Sequence, residues 1–450
     1  MKMKKIYILF TLLTISNINV FAQIDNLSNL SSEWMRSGVR NAATDAADIV
    51  VYNPAGVTSL KNGLHINFSN QTLFRKPSHS YDMGLGEGQK QYEQGSADPF
   101  LPNLYIAYKK NNWALYSGVF FSGGGATADY PKGSITTDLI GLGTLGAAQG
   151  AYTTIKDPYL KASSMYMTTT LGGSYAVKRG ISFSAAVRYL SAANTSELGM
   201  TLTSSPFEFP DVPMSLKTTD NASGVGAVFG VSLTALDKVS ISARYESQVS
   251  LKFKTSQDHD DFGLTTDGAT NHRDLPAVLA LGATYDVTSK FKVMADYNYY
   301  FQEDADWGKS SVATDEVPLS LLAGNANIIA FGFQYKIKSK ITVSSGIGFT
   351  KMDFQDKDGY YANLGTFEVV QSDNTNLNMG FAYKPIKNIT FNFGYMHVFY
   401  PSDQQIKVVN ALPLDVTVNA NSHINAFAFF LYKLLIYINL QLRAKPVFLG

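Results

Sequence analysis

From Leu64 onward the chain alternates apolar and polar residues with a period of two, the signature of strands whose two faces meet different surroundings. The clearest run is 239–254. Val239, Ile241, Ala243, Tyr245, Val249, Leu251 and Phe253 share one parity, while Ser240, Ser242, Arg244, Glu246, Gln248, Ser250, Lys252 and Lys254 share the other. Residues 181–191 repeat it, with Ile181, Phe183, Ala185, Val187 and Tyr189 against Ser182, Ser184, Ala186 and Arg188. Fourteen such segments follow one another, at about 64–75, 103–110, 112–121, 165–177, 181–202, 215–235, 239–254, 276–287, 290–302, 326–337, 341–353, 375–384, 389–400 and 421–432.

The connections after the first strand alternate between short and long. Short ones cover 110–112, 178–180, 236–238, 288–289, 338–340 and 385–388; long ones cover 76–102, 122–164, 203–214, 255–275, 303–325, 354–374 and 401–420. Tight turns on one rim and long loops on the other belong to an outer-membrane barrel, and an even strand count leaves both ends on the tight-turn, periplasmic rim. A soluble sandwich would need a domain of about 100 residues repeated along the chain, and no repeat of fixed period exists. Several segments also exceed the five or six residues usual in soluble sheets. They suit a tilted bilayer crossing of about 9–11 residues. The expected fold class is therefore all-β and transmembrane: a 14-stranded antiparallel outer-membrane β-barrel over 64–432.

In such a barrel the apolar parity faces lipid, because Arg or Lys at the midplane costs roughly 2–4 kcal/mol. Arg188, Arg244, Glu246, Lys252, Lys292, Asp296 and Lys336 are thereby assigned to the lumen. Tyr189, Tyr285, Tyr299, Tyr335, Tyr383 and Tyr395, near strand ends, read as interfacial girdle residues. Composition agrees. Charged residues make up 16% of the chain, below the roughly 25% of soluble domains, and aromatics 13%. A net charge of +1 favours no nucleic-acid partner. The absence of cysteine excludes disulfides, thiolate metal sites and a cysteine nucleophile. Residues 1–22 read as a signal peptide: Lys2, Lys4 and Lys5, then an apolar core from Ile6 to Ile15, then Val20-Phe21-Ala22 before Gln23.

Between this leader and the first strand, 23–63 contains GVRNAATDAADIVVYNPAGVTSL, small residues interrupted by Arg40, Asp45 and Asp48. The pattern predicts a helix over 42–50 that Asn53-Pro54-Ala55-Gly56 ends in a turn, proline fixing φ and glycine freeing it. Small residues with fixed charges suit a compact plug against a polar wall. The residues alone also suit an N-terminal helix–turn that precedes a β domain.

Asn41-Ala42-Ala43, Asp45-Ala46-Ala47-Asp48, Tyr52-Asn53-Pro54-Ala55-Gly56 and Leu60-Lys61-Asn62-Gly63 resemble the N-terminal hatch of the FadL-type outer-membrane transporters. The resemblance is sharp over roughly 34–68 and architectural beyond. It implies a hatch inside the lumen, with Asn41, Ala42, Asn53, Pro54, Ala55 and Gly56 as its motif. It implies a carrier of long-chain fatty acids or similar hydrophobic molecules, captured by outer loops, passed to a pocket above the hatch and released sideways through the wall at a kinked strand. Lateral release keeps an acyl chain out of water, worth about 0.8 kcal/mol per CH₂.

Further expectations follow. Loop 122–155 suits capture: SGGGATADY is flexible, and ITTDLIGLGTL is apolar for an outer loop, either as a binding surface or as a self-packed helical lid. Gly123, Gly124 and Gly125 end the third strand and permit a bend where the resemblance implies the wall opening. Arg188 and Arg244 are candidate contacts for a substrate carboxylate, or else lumen residues paired with an acid such as Glu246. No Ser stands in a recognisable relation to any of the six histidines, and His259 among Asp258, Asp260 and Asp261 reads as a solvated loop, so no catalysis, cofactor or metal is expected. The expected partners are the hydrophobic substrate and outer-membrane lipids, with the chain working as a monomer. The alternative is a barrel of the same fold serving as a structural or secretion-associated component without transport. The tail 433–450, KLLIYINLQLRAKPVFLG, is atypically apolar for a barrel end.

Overall fold

The computed structural model describes residues 31–95, 98–204, 209–236, 238–310, 316–368, 370–402, 404–408 and 416–436. The leader 1–22, the first residues of the 23–63 segment and residues 437–450 of the tail lie outside them.

Fourteen antiparallel strands form the wall. In chain order they are Gly63–Arg75, Asp98–Lys110, Trp113–Tyr130, Thr154–Lys178, Ile181–Thr203, Val212–Leu236, Val239–Glu246 (resuming as Lys252–Asp260), Ala277–Asp286, Phe291–Phe301, Ala326–Lys338, Ile341–Met352, Asn374–Ile386, Ile389–Phe399 and His423–Ile436. Each pairs with its sequence neighbours, and the last pairs with the first from Leu64↔Ile436 to Arg75↔Ile424, so the sheet closes without an edge. Closure satisfies every strand's main chain within the wall, which hydrocarbon requires. The last strand runs four residues beyond the expected 432, so the start of the tail is wall.

Burial confirms the two faces. Leu171 and Val225 are 68% and 64% exposed on the outer surface, while Arg188 and Asp296 are 3% and 5% exposed inside. Tyr189, Tyr285, Tyr335 and Tyr383 all stand on the outer surface. An apolar belt of this extent has only a bilayer as its solvent. One face assignment fails. The seventh strand breaks at Ser247–Leu251, and from within the break onward Val249, Leu251 and Phe253 are fully buried while Lys252 and Lys254 point outward. The wall yields there because Gly224 and Gly226 of the sixth strand leave room: a Cβ on Gly224 would lie 2.4 Å from Ser250 O. The freed main chain finds side-chain partners, with Leu251 N–H donating to Asp274 Oδ1 at 2.8 Å and Arg188 Nη2 donating to Ser247 O.

The outer loops build a second structure above the wall. Ser78–Asp82 and Gln89–Glu93 from the first long loop join Gln404–Val408 and Val416–Asn421 from the last in a four-stranded sheet. Tyr81, Ile135, Trp307, Tyr360, Phe367, Ile406 and Val418, from five loops, share one apolar core over the barrel mouth. The apolar loop segment forms the helix Ile135–Ala147, and its Ile135 and Ile140 enter two such cores. It packs as a lid rather than presenting an open apolar surface.

Candidate functional site

The segment from Ser31 to Asn62 sits inside the barrel, folded around Arg40. The Arg40 guanidinium is 1% exposed; Nε and Nη2 donate to Asp48 at 3.0 and 2.5 Å, and Nη1 to Asp45 at 2.7 Å. Wrapping the chain about one guanidinium replaces the expected helix over 42–50 with turns. Helix is confined to Ser32–Met35 and Ile49–Tyr52, followed by a tight 3₁₀ turn at Pro54–Ser59. The Asn53 turn stands as expected: its Oδ1 accepts Gly56 N–H at 3.1 Å and its Nδ2 donates to Ala43 O at 3.0 Å.

The wall holds this plug by polar contacts and by missing side chains. Asp296 Oδ2 accepts the N–H groups of Arg40 and Asn41 at 2.6 and 2.9 Å, and Asn41 Nδ2 reaches Asn298 at 2.9 Å. Glu33 Oε1 accepts from Asn67 and Asn392 at 2.7 and 2.8 Å. At the same depth lumen-facing glycines let the plug's main chain touch the sheet. A Cβ on Gly346 would lie 2.0 Å from Ser37 O, one on Gly282 2.5 Å from Ala42 N, one on Gly394 2.7 Å from Met35 Cβ, and one on Gly230 3.3 Å from Pro54 Cγ. Ala42, Pro54 and Ala55 are thus wall contacts.

Above the plug the wall is incomplete. The second and third strands pair only from Lys110↔Trp113 to Leu104↔Val119. Beyond that, 98–103 pairs with the first strand and 120–130 with the fourth; the paired register between the two ends at Leu104↔Val119, and main-chain contact resumes where Gly95 N–H donates to Asp129 O at 2.8 Å. Thr127 N–H to Asp98 Oδ1 at 3.0 Å closes the top of the break. Gly123, Gly124 and Gly125 lie inside the third strand, not at its end, and mark two register shifts against the fourth, at Phe121/Gly123 and Gly124/Ala126. Gly124 has φ +70°, a glycine bulge that turns the strand away from its former neighbour. Tyr105 and Phe120, one from each side, stand at the lower corner of the break and pack on Val50, Val51 and Tyr52 of the plug.

A partly open hollow lies at the lumen mouth, lined by Tyr300, Gln302, Ile328, Met352, Asn374 and Arg75 among others. Arg75 Nη2 donates to Asp98 Oδ2 at 2.5 Å, so the cavity adjoins the upper edge of the break.

No protein-family model and no curated protein matches the sequence. Solved structures do match in shape. A Pseudomonas aeruginosa FadL homologue superposes with TM-score 0.64 at 14% identity, over 90% of this chain and 98% of that one. The toluene transporter TodX of P. putida gives 0.60 at 14%, over 89% and 97%. The Ralstonia pickettii toluene transporter TbuX gives 0.55 at 14%, over 90% and 99%. The chain has the FadL-type fold.

Within this FadL-type fold the two arginines expected to meet a substrate are otherwise engaged. Arg188 Nη1 pairs with Glu246, and its Nη2 donates to Ser247 O. Arg244 Nε donates to Glu246 at 2.9 Å and its Nη1 to Tyr52 O. Sharing Glu246 between them, Arg188 reaches the seventh-strand break at Ser247 and Arg244 reaches the plug at Tyr52. Sequence reasoning missed the glycine contacts, whose only signal is glycine at lumen parity in mid-strand. It also missed the polar cap on Ile135–Ala147. There Ile135 N–H donates to His79 Nε2 at 3.1 Å, Thr136 N–H to Glu368 at 3.2 Å, and Tyr92 to Asp138 at 2.8 Å. Burial and the Asp138 charge push the Tyr92 hydroxyl up to about 12.

Proposed function

We propose that the chain carries hydrophobic molecules, long-chain fatty acids among them, across the outer membrane. They enter between the loops, rest in the lumen cavity above the plug and leave through the break between the second and third strands. The observation that carries this reading is the break itself, a gap in the hydrogen-bond ladder held open by a glycine bulge directly above a filled bore. A filled bore offers no straight aqueous route, whereas a sideways gap opens onto acyl tails. The solved structures most informative here include two described as toluene transporters, which supports a hydrophobic cargo.

The test is uptake of labelled oleate and of toluene by cells that lack another route and express this chain. Wild type should restore uptake. Gly124→Val should return it to background at an equal amount of folded barrel, because a Cβ at φ +70° would lie 2.6 Å from Ser164 O and the bulge would flatten. Unchanged uptake by that variant would refute lateral release. Absence of uptake and of binding by the wild type would favour the structural-barrel alternative.

A further inference from the structure

The net charge of +1 conceals an uneven division between the two ends of the barrel. On the tight-turn rim Lys336, Lys338 and Lys340 flank one turn and Lys384 and Lys387 the next, with no acid in 334–343 or 382–389. The loops at the other end of the same strands carry the acids, Glu303, Asp304, Asp306, Asp353, Asp356 and Asp358 among them. Strand pairing then sets the rim lysines side by side. Lys336 N–H donates to Lys290 O at 2.8 Å, and Lys384 N–H to Lys340 O at 2.8 Å. Lys290, Lys336, Lys338 and Lys340 are all exposed. Among the described residues none of these four pairs with a carboxylate, and Asp286, the acid of the neighbouring turn, is paired with Lys292 at 3.6 Å.

Like charges gathered at one margin of a sheet repel, and nothing within the protein offsets them. The lipid-facing surface beside them supplies a second feature. Ala283 and Ala295 face each other across the eighth and ninth strands, between Ile241 and Phe331 in the same row. The two small side chains leave a shallow apolar trough bordered by Tyr285, Phe291, Phe331 and Phe333. Tyr285 lies one residue from the end of the eighth strand and Phe291 opens the ninth, so the trough begins where the lysines stand. A molecule that satisfies both features carries an anion at the membrane interface and an acyl chain in the hydrocarbon next to it.

We propose that the eighth to eleventh strands form a docking site for an anionic phospholipid of the periplasmic leaflet. The ammonium groups of Lys290, Lys338 and Lys340 gather at the headgroup phosphate while their stems lie along the apolar belt. One acyl chain fills the trough at Ala283 and Ala295. The site is on the outside of the wall, so it stands whatever passes through the lumen.

The experiment measures lipid retained by the full chain on release from uncharged detergent, by native mass spectrometry at equal amounts of folded barrel. Dioleoyl phosphatidylglycerol and dioleoyl phosphatidylcholine share their acyl chains and differ in net charge. Wild type should retain the anionic lipid about tenfold more, the gain expected from one or two lysines near its headgroup. Replacing all three lysines, Lys290→Gln, Lys338→Gln and Lys340→Gln, should bring the two lipids within about twofold. Ala295→Leu fills the trough and keeps every charge; it should lower retention of both lipids about fourfold, the loss of roughly one CH₂ of contact. Glycerophosphoglycerol, the headgroup without its chains, should displace neither lipid. No preference in the wild type, a preference that survives the triple substitution, or retention that ignores Ala295→Leu would each overturn the proposal. Displacement by the bare headgroup would overturn it as well, because the rim would then collect anions without holding a lipid.

Discussion

A glycine inside a β-strand weakens it unless the missing side chain makes room for something. Gly346 makes room for the carbonyl of Ser37, the closest approach between plug and wall among the glycines that line it. Gly346→Ala should therefore lower the stability of the docked plug by about 1–3 kcal/mol through overpacking. Urea unfolding and a rise in resting conductance in planar bilayers would both report it. Gly143, in the helix of the second long loop, has nothing within 4 Å of its would-be Cβ. Gly143→Ala should stabilise that helix by up to about 1 kcal/mol. If both substitutions behaved alike, the wall glycines would be mere strand breaks. Arg40 makes the complementary case. Its loss in Arg40→Ala would strand Asp48, which is fully buried, and should cost about 3–5 kcal/mol of plug stability, read as plug release in the same conductance assay. The charges of Arg40, Asp45 and Asp48 were legible in the sequence as a set. Their mutual wrapping was not, because a helix and a turn around one guanidinium need the same spacing of small residues.

Among elements, the fourteen strands were legible because a two-sided environment, lipid outside and polar lumen inside, writes a strict alternation into each segment. The exception is instructive. Across 239–254 the apolar parity lapses only at Ser247, yet the chain turns over at Ser247–Leu251, since two runs of equal parity look continuous whatever the register between them. The loop sheet and the anchoring of Ile135–Ala147 were not legible either, because their partners come from other loops, from about fifty to more than three hundred residues away. That anchoring gives a pH prediction. His79 accepts the Ile135 N–H through Nε2, so the docked imidazole is neutral. Burial holds its pKa below the ordinary histidine value, against the pull of Glu368 and Asp138, while Tyr81, Tyr92 and Tyr130 pack around the ring. The released helix therefore binds more protons than the docked one once the pH falls below about 6.5, so docking is constant above that value and weakens below it. Hydrogen exchange of the 135–147 amides, corrected for intrinsic rate, should speed up between pH 7.5 and pH 5. In His79→Gln, which keeps an acceptor that does not titrate, the difference should vanish. Exchange that ignores pH in the wild type would show that the cap does not hold the helix.

For the whole molecule, the plug and the roof of loops are two barriers in series with the lumen cavity between them. The plug closes the periplasmic end through Asp296, Glu33 and the glycine contacts; the roof closes the outer end through one apolar core shared by five loops. Series barriers predict a definite pattern of currents. Deleting 31–60 removes the lower barrier alone, and the roof should still limit ion flow, so single-channel conductance should stay small. Deleting 134–148 removes the anchored helix and loosens the roof, but the plug should still block. Only the combined deletion should give a large, steady aqueous pore, with a conductance far above the sum of the two single changes. The strand ladder survives all three deletions because none touches a wall residue. A large current from the first deletion alone would mean that the roof is porous to ions, and the cavity would then be an open vestibule rather than a chamber closed at both ends.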